Sequence, residues 1–155
     1  MSHRLRLFDA STQQWILGRS AETLPFADRS FDRVVANFSL SFARSPMHML
    51  RELFRVLRPG GKLILKAFTP TADLARLYRP SLHELGIDAF SGAPRLALHR
   101  MAQCCVALRT GQLHTFEEDS LTTQLSRVTP LTPRLVRTFA GQILLAAAEK
   151  PDSPS

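Results

Sequence analysis

Asn37 and Ser39 are the polar side chains best placed to meet a ligand. Asn37 lies at the end of the run Phe31-Asp32-Arg33-Val34-Val35-Ala36-Asn37-Phe38, whose β-branched centre predicts a buried strand, and Ser39 follows it. In open α/β sheets ligands bind beyond the carboxyl ends of the strands. An amide and a hydroxyl at that end can hydrogen-bond a small polar molecule without acid–base chemistry. Asp32, at the other end of the run, is expected to hold its loop rather than to transfer a proton. Metal chemistry is not expected. Cys104 and Cys105 are adjacent, which offers neither a structural disulfide nor a four-ligand zinc site, and they read as small buried hydrophobes. His3, His48, His83, His99 and His114 show no i, i+4 pair of the kind helical metal sites use.

These residues need elements to hold them. Ser45 followed by Pro46 is an N-cap with proline at the first helical position, and Met47, Leu50, Leu53, Phe54 and Leu57 then recur at helical spacing. Arg58-Pro59-Gly60-Gly61 stops this helix, with Arg58 set against the negative end of the helix dipole. Lys62 to Phe68 reads as a second core strand, so strand, helix and strand form a parallel crossover, the unit of α/β sheets. Upstream, the alternating Arg4 to Phe8 and the short Gln14 to Gly18 predict two strands able to pair as a hairpin. From about Thr71 to Leu113 the pattern is helical but interrupted by Pro80, Gly86, Gly92 and Pro94, with its clearest helix from Pro94 to Arg109. This stretch, 71–113, is expected to be an insertion or lid. Thr115 and Glu118 have capping-box spacing before a helix through Glu117, Leu121, Leu125 and Val128. Leu131 to Ala140 and Gln142 to Glu149 predict two antiparallel strands that close the sheet, and 151–155 a disordered tail.

A length of 155 residues favours one domain, here 1–150, and 45% hydrophobic with 21% charged residues argues against disorder and disulfide scaffolds. No apolar run approaches the ~20 residues of a membrane span, and no signal-peptide stretch follows Met1, so no membrane association and a cytoplasmic location are expected. Net charge is +7. The arginines are dispersed, however, and no nucleic-acid-binding motif accompanies them, so charge alone does not make nucleic acid the expected partner.

The segment Ala21-Glu22-Thr23-Leu24-Pro25-Phe26-Ala27-Asp28-Arg29-Ser30-Phe31-Asp32-Arg33-Val34-Val35-Ala36 comes before Leu50-Arg51-Glu52-Leu53-Phe54-Arg55-Val56-Leu57-Arg58-Pro59-Gly60-Gly61-Lys62-Leu63 and the closing Gly141 to Pro151. Together and in this order they resemble the class I S-adenosylmethionine-dependent methyltransferases, most closely the small-molecule, type 11-like branch. The resemblance implies an α/β, Rossmann-like methyltransferase sheet, mostly parallel, with a C-terminal antiparallel hairpin. It also implies S-adenosylmethionine as cofactor and Asp9, Ser20, Ala21, Glu22 and Asn37 as cofactor-binding positions. Asp9 would stand for the acidic residue that grips the ribose hydroxyls, with an ordinary turn aspartate as the alternative. Ser20 occupies the place of the family's adenine-binding aspartate, where a hydroxyl bonds less strongly than a carboxylate.

The sequence also departs from the family. The glycine-rich loop that brings backbone close to the cofactor is missing, since no glycine precedes Gly18. Leu40-Ser41-Phe42 stands where a Leu-His-His pattern is common, which removes a candidate base. The expectation is a sheet truncated at its amino-terminal side, with an unpaired strand edge that a homo-oligomer or a partner chain must cover. Two functions follow from the resemblance. One is a methyltransferase-like protein, degenerate in cofactor binding, that serves as a binding or assembly module. The other is an active methyltransferase completed by a partner chain or homodimer, needing mainly alignment of acceptor and methyl group. A basic adaptor for RNA or another polyanion is the third alternative, arising from charge.

Overall fold

A computed structural model of the chain describes residues 5–9, 14–18, 23–73 and 102–152. Strands β1 (Leu5–Asp9) and β2 (Gln14–Gly18) pair antiparallel as a two-stranded sheet. The main sheet has four strands, β3 (Phe31–Asn37), β4 (Leu57–Phe68), β5 (Arg134–Thr138) and β6 (Ile143–Glu149), in the order β3-β4-β6-β5. The β3–β4 pair is parallel, while β4–β6 and β6–β5 are antiparallel. Helix α1 (Ser39–Phe42) follows β3, and α2 (Pro46–Val56) is the crossover to β4. A helix over 102–109, α3, and α4 (Glu118–Ser126) precede the final hairpin.

The core lies between one face of the sheet and helices α2 and α4. Alternate residues of β4, Leu63, Leu65 and Ala67, point to that face, as do Leu144, Ala146 and Ala148 of β6. Helix α2 contributes Met49, Leu50, Leu53 and Phe54 at the spacing of one helical face, and α4 adds Leu121 and Leu125. Each fully buried leucine contributes about 1.5–3 kcal/mol relative to exposure. Ser45 caps α2 as its sequence predicts, its Oγ accepting the His48 N–H at 3.4 Å ahead of Pro46.

Three local expectations are corrected. The cation at the carboxyl end of α2 is Lys150, whose Nζ donates to the carbonyls of Phe54 (2.6 Å) and Leu57 (2.7 Å). Arg58 instead reaches back to Asp32, donating to both carboxylate oxygens at 2.9 and 3.1 Å, and to the Arg29 carbonyl. The charge of Asp32 is closer at hand for Arg58 than the helix end. Second, β4 begins at Leu57 rather than Lys62. Phe31 is opposite Leu57 and Arg33 is opposite Lys62, so Arg58 to Gly61 bulge out between two paired positions. Third, Thr115 forms no capping box. The N-cap of α4 is Glu117, without a side-chain cap bond, because Glu117 and Glu118 both pair with Arg137 of β5, at 2.8 and 2.6 Å.

Candidate functional site at the carboxyl ends of β3 and β4

The parallel strands end side by side, with Asn37 in register with Lys66. Phe38 follows with a positive φ of 56°, a conformation few bulky residues adopt, and its N–H donates to the Lys66 carbonyl at 2.9 Å. That turn lays the Phe38 ring on Phe68, with centroids 4.5 Å apart and planes 15° from parallel, while Phe42 meets Phe68 edge-on. Asn37 is exposed.

The hydroxyls beneath this aromatic group are already engaged. The buried Ser41 Oγ accepts the Phe68 N–H at 3.3 Å, and the Ser41 carbonyl accepts the His114 N–H. Phe116 N–H donates to the Phe68 carbonyl, tying the segment before α4 to the end of β4. Thr69 is fully buried; its N–H donates to the Gln142 carbonyl and its Oγ1 to that of Gly141. Gln142 Oε1 in turn accepts the Asp73 N–H at 2.8 Å. The strand ends therefore form a braced floor of satisfied polar groups, with Asn37 beside it.

Of the positions expected to bind cofactor, Asn37 is where the sequence puts it, at the end of β3. Asp9 closes β1, opposite Gln14, in the separate two-stranded sheet. Ser20, Ala21 and Glu22 lie outside the described residues, as does 74–101 of the expected lid. Cys104 and Cys105, expected buried, are half-buried on α3, where burial pushes the Cys104 thiol above its ordinary range. Among the described residues no cluster of three His, Cys, Asp or Glu side chains could hold a metal, and no helix is long and apolar enough to cross a membrane.

A second constellation was not anticipated from sequence. Arg55 of α2 donates to Glu52 (2.8 Å), to Asp28 (2.7 Å), and to the carbonyls of Phe26 and Leu24. Glu52 accepts the Leu24 N–H at 3.0 Å. The pair pins the Leu24-to-Asp28 loop to α2, and the loop in turn leads into β3. Arg55 holds the Glu52 carboxyl below its usual value, with burial opposing and the Leu24 bond adding to the effect; the Arg55 guanidinium is raised correspondingly. Glu and Arg at i, i+3 are a visible signal, but such spacing does not reveal that the partners are backbone carbonyls some thirty residues away.

The fold is that of an α/β domain of the methyltransferase type. A family model described as "Methyltransferase domain" matches residues 3–65. The ubiquinone/menaquinone biosynthesis C-methyltransferase UbiE of Roseobacter denitrificans is 42% identical over 71 residues, 44% of this chain and 28% of that protein. The demethylmenaquinone methyltransferase of Renibacterium salmoninarum is 47% identical over 49 residues, 32% of this chain and 21% of that protein. The chain thus matches less than a third of the length of these curated relatives. Among solved structures, a S-adenosylmethionine-dependent methyltransferase from Thermotoga maritima aligns with a TM-score of 0.53 at 16% identity, over 84% of this chain and 61% of that one. The [4+2]-cyclase SpnF aligns with a TM-score of 0.51 at 18% identity, over 86% of this chain and 56% of that one. Over residues 3–65 the sequence is similar to methyltransferase domains, and the fold is that of the S-adenosylmethionine-dependent methyltransferases.

The family implies S-adenosylmethionine. The described residues fit it poorly on their own. Asn37 supplies one amide, whereas the hydroxyls of Ser41 and Thr69 are committed to backbone, and Asp9 belongs to a different sheet from Asn37.

Proposed function

We propose that the chain is a methyltransferase-like binding module that does not hold S-adenosylmethionine alone and that assembles with another polypeptide, in the cytoplasm. The observation that carries this reading is the position of β3. It bears Asn37, yet among the described residues it pairs on one side only, with β4. An unpaired parallel edge leaves backbone donors and acceptors open to a second strand.

Titration calorimetry of the purified chain with S-adenosylhomocysteine tests the reading. Absence of saturable heat from a cooperatively folded preparation is the expected result, and micromolar binding would overturn it. The exposed Asn37 amide beside the Phe38–Phe68 stack supports a second reading, an active methyltransferase completed by a partner. Under that reading, binding and methyl transfer appear only after the partner is added.

A further inference from the structure

The sheet has a second face, opposite α2 and α4. The register puts Val35 of β3, Ile64 of β4, Ala147 of β6 and Arg134 of β5 in one row across it. The next row is Asn37, Lys66, Leu145 and Val136. Val35 is 62% exposed, Val136 56% and Ile64 39%, although all three lie within paired strands. Their neighbours in sequence, Ala36, Leu63 and Leu65, are buried on the first face, so the contrast between faces is not a matter of residue type. Sheets with parallel pairs are stable when both faces are covered, and the first face is covered by helices.

Cations ring the apolar centre. Arg33 and Lys62 stand at one end, Lys66 lies beside Ile64, and Arg134 borders Ala147. Glu149, the acidic side chain in these rows, faces Lys62 at 3.6 Å, and Arg33, Lys66 and Arg134 make no ion pair among the described residues. A second copy of this chain, of net charge +7, would bring like charges together across such a face.

We infer that this face seats an amphipathic helix from another polypeptide, with small aliphatic residues on Val35, Ile64 and Ala147 and glutamates or aspartates reaching Arg33, Lys66 and Arg134. The inference deepens the assembly reading above and rests on it. A helix is the element that covers the opposite face of the same sheet, and a sheet with a parallel pair is stable with both faces covered. Charge calls for acidic flanks.

The test uses the full chain and two stapled peptides of about 18 residues, or about five helical turns. Both carry the same leucine and alanine face, one with glutamate flanks and one with lysine flanks. The glutamate peptide is expected to bind saturably, about tenfold or more tighter than the lysine peptide, and to weaken with salt. Ile64→Asp should lose this binding, and Lys66→Glu, a surface change that spares the apolar centre, should narrow the preference, since Arg33 and Arg134 remain. Equal binding of both peptides, binding of neither, a stable homodimer that shields this face, or binding to anionic phosphatidylglycerol vesicles without peptide binding would each overturn the inference. S-adenosylhomocysteine is titrated into the same samples with and without peptide. Cofactor binding to the free chain refutes the assembly reading, whereas failure of the glutamate peptide refutes only the docking face.

Discussion

The ammonium of Lys150 donates to the Phe54 carbonyl at 2.6 Å, closing the carboxyl end of a helix 96 residues earlier in the chain. The same Nζ reaches the Leu57 carbonyl at 2.7 Å, and the Lys150 backbone exchanges hydrogen bonds with Gly60 and Gly61. Burial, with repulsion from Arg29, pushes this ammonium below its ordinary 10.5, against a smaller opposing pull from Asp28.

Lys150→Met keeps the aliphatic stem and removes the donors. Carbonyls left without partners at a helix end cost about 1–3 kcal/mol. The urea midpoint is expected to fall accordingly with an unchanged slope. A midpoint equal to wild type would show that water replaces the cap.

Acid should weaken the loop clamp. The Glu52 carboxyl lies below its ordinary 4.5 in the folded chain, chiefly through its bond to Arg55. Near that value the unfolded chain therefore binds more protons than the folded one. The stabilisation is complete above 4.5 and is lost as pH falls through the lower folded value. Glu52→Gln should lower stability at neutral pH and remove this part of the acid dependence, as followed by denaturant titration across the pH series.

Gly61 and Gly60 should respond differently to alanine. A Cβ at Gly61 would lie 2.7 Å from the Arg58 carbonyl oxygen and 3.2 Å from that of Asp32, and neither backbone can yield cheaply. At Gly60 the close atom, at 2.6 Å, is the flexible Asp152 carboxylate, but φ is +70°. Gly61→Ala is expected to cost about 2–3 kcal/mol and Gly60→Ala about 1–2 kcal/mol. Thermal denaturation of both variants measures the order, and a reversed order would locate the strain in φ rather than in the contact.

Asn37→Ala removes an exposed side chain at a strand end. Its effect on stability should stay within about 0.5 kcal/mol. If a partner restores S-adenosylhomocysteine binding, this variant should weaken that binding.

The elements that were legible in sequence are those specified by neighbours. Ser45-Pro46 and the apolar spacing through Leu57 located α2, and the β-branched run located β3, although Ala36 is its one buried residue and Val35 is exposed where the run predicts a buried strand. The final hairpin followed from Gly141 between two apolar stretches. What escaped was set by distant parts of the chain. Glycines and a proline read as a simple stop, yet pairing of Leu57 with Phe31 draws Arg58 to Gly61 into the strand as a bulge. Thr115 and Glu118 have the right spacing for a capping box, but Arg137, nineteen residues beyond Glu118, takes the carboxylate. Within the candidate site, Asn37 was legible because strand ends are predictable. The Phe38–Phe68 stack was not, since it depends on an unusual φ.

The order of strands has a consequence for synthesis. Strand β6, the last of the described strands in sequence, lies between β4 and β5, and Lys62 waits for Glu149 before its second neighbour exists. Until that residue has left the ribosome, β4 is an open edge rich in leucine and isoleucine, the kind of surface that captures other strands. The main sheet therefore cannot close until β6 has emerged. A nascent chain halted between β4 and β6 would be a substrate for chaperones rather than a partly working domain.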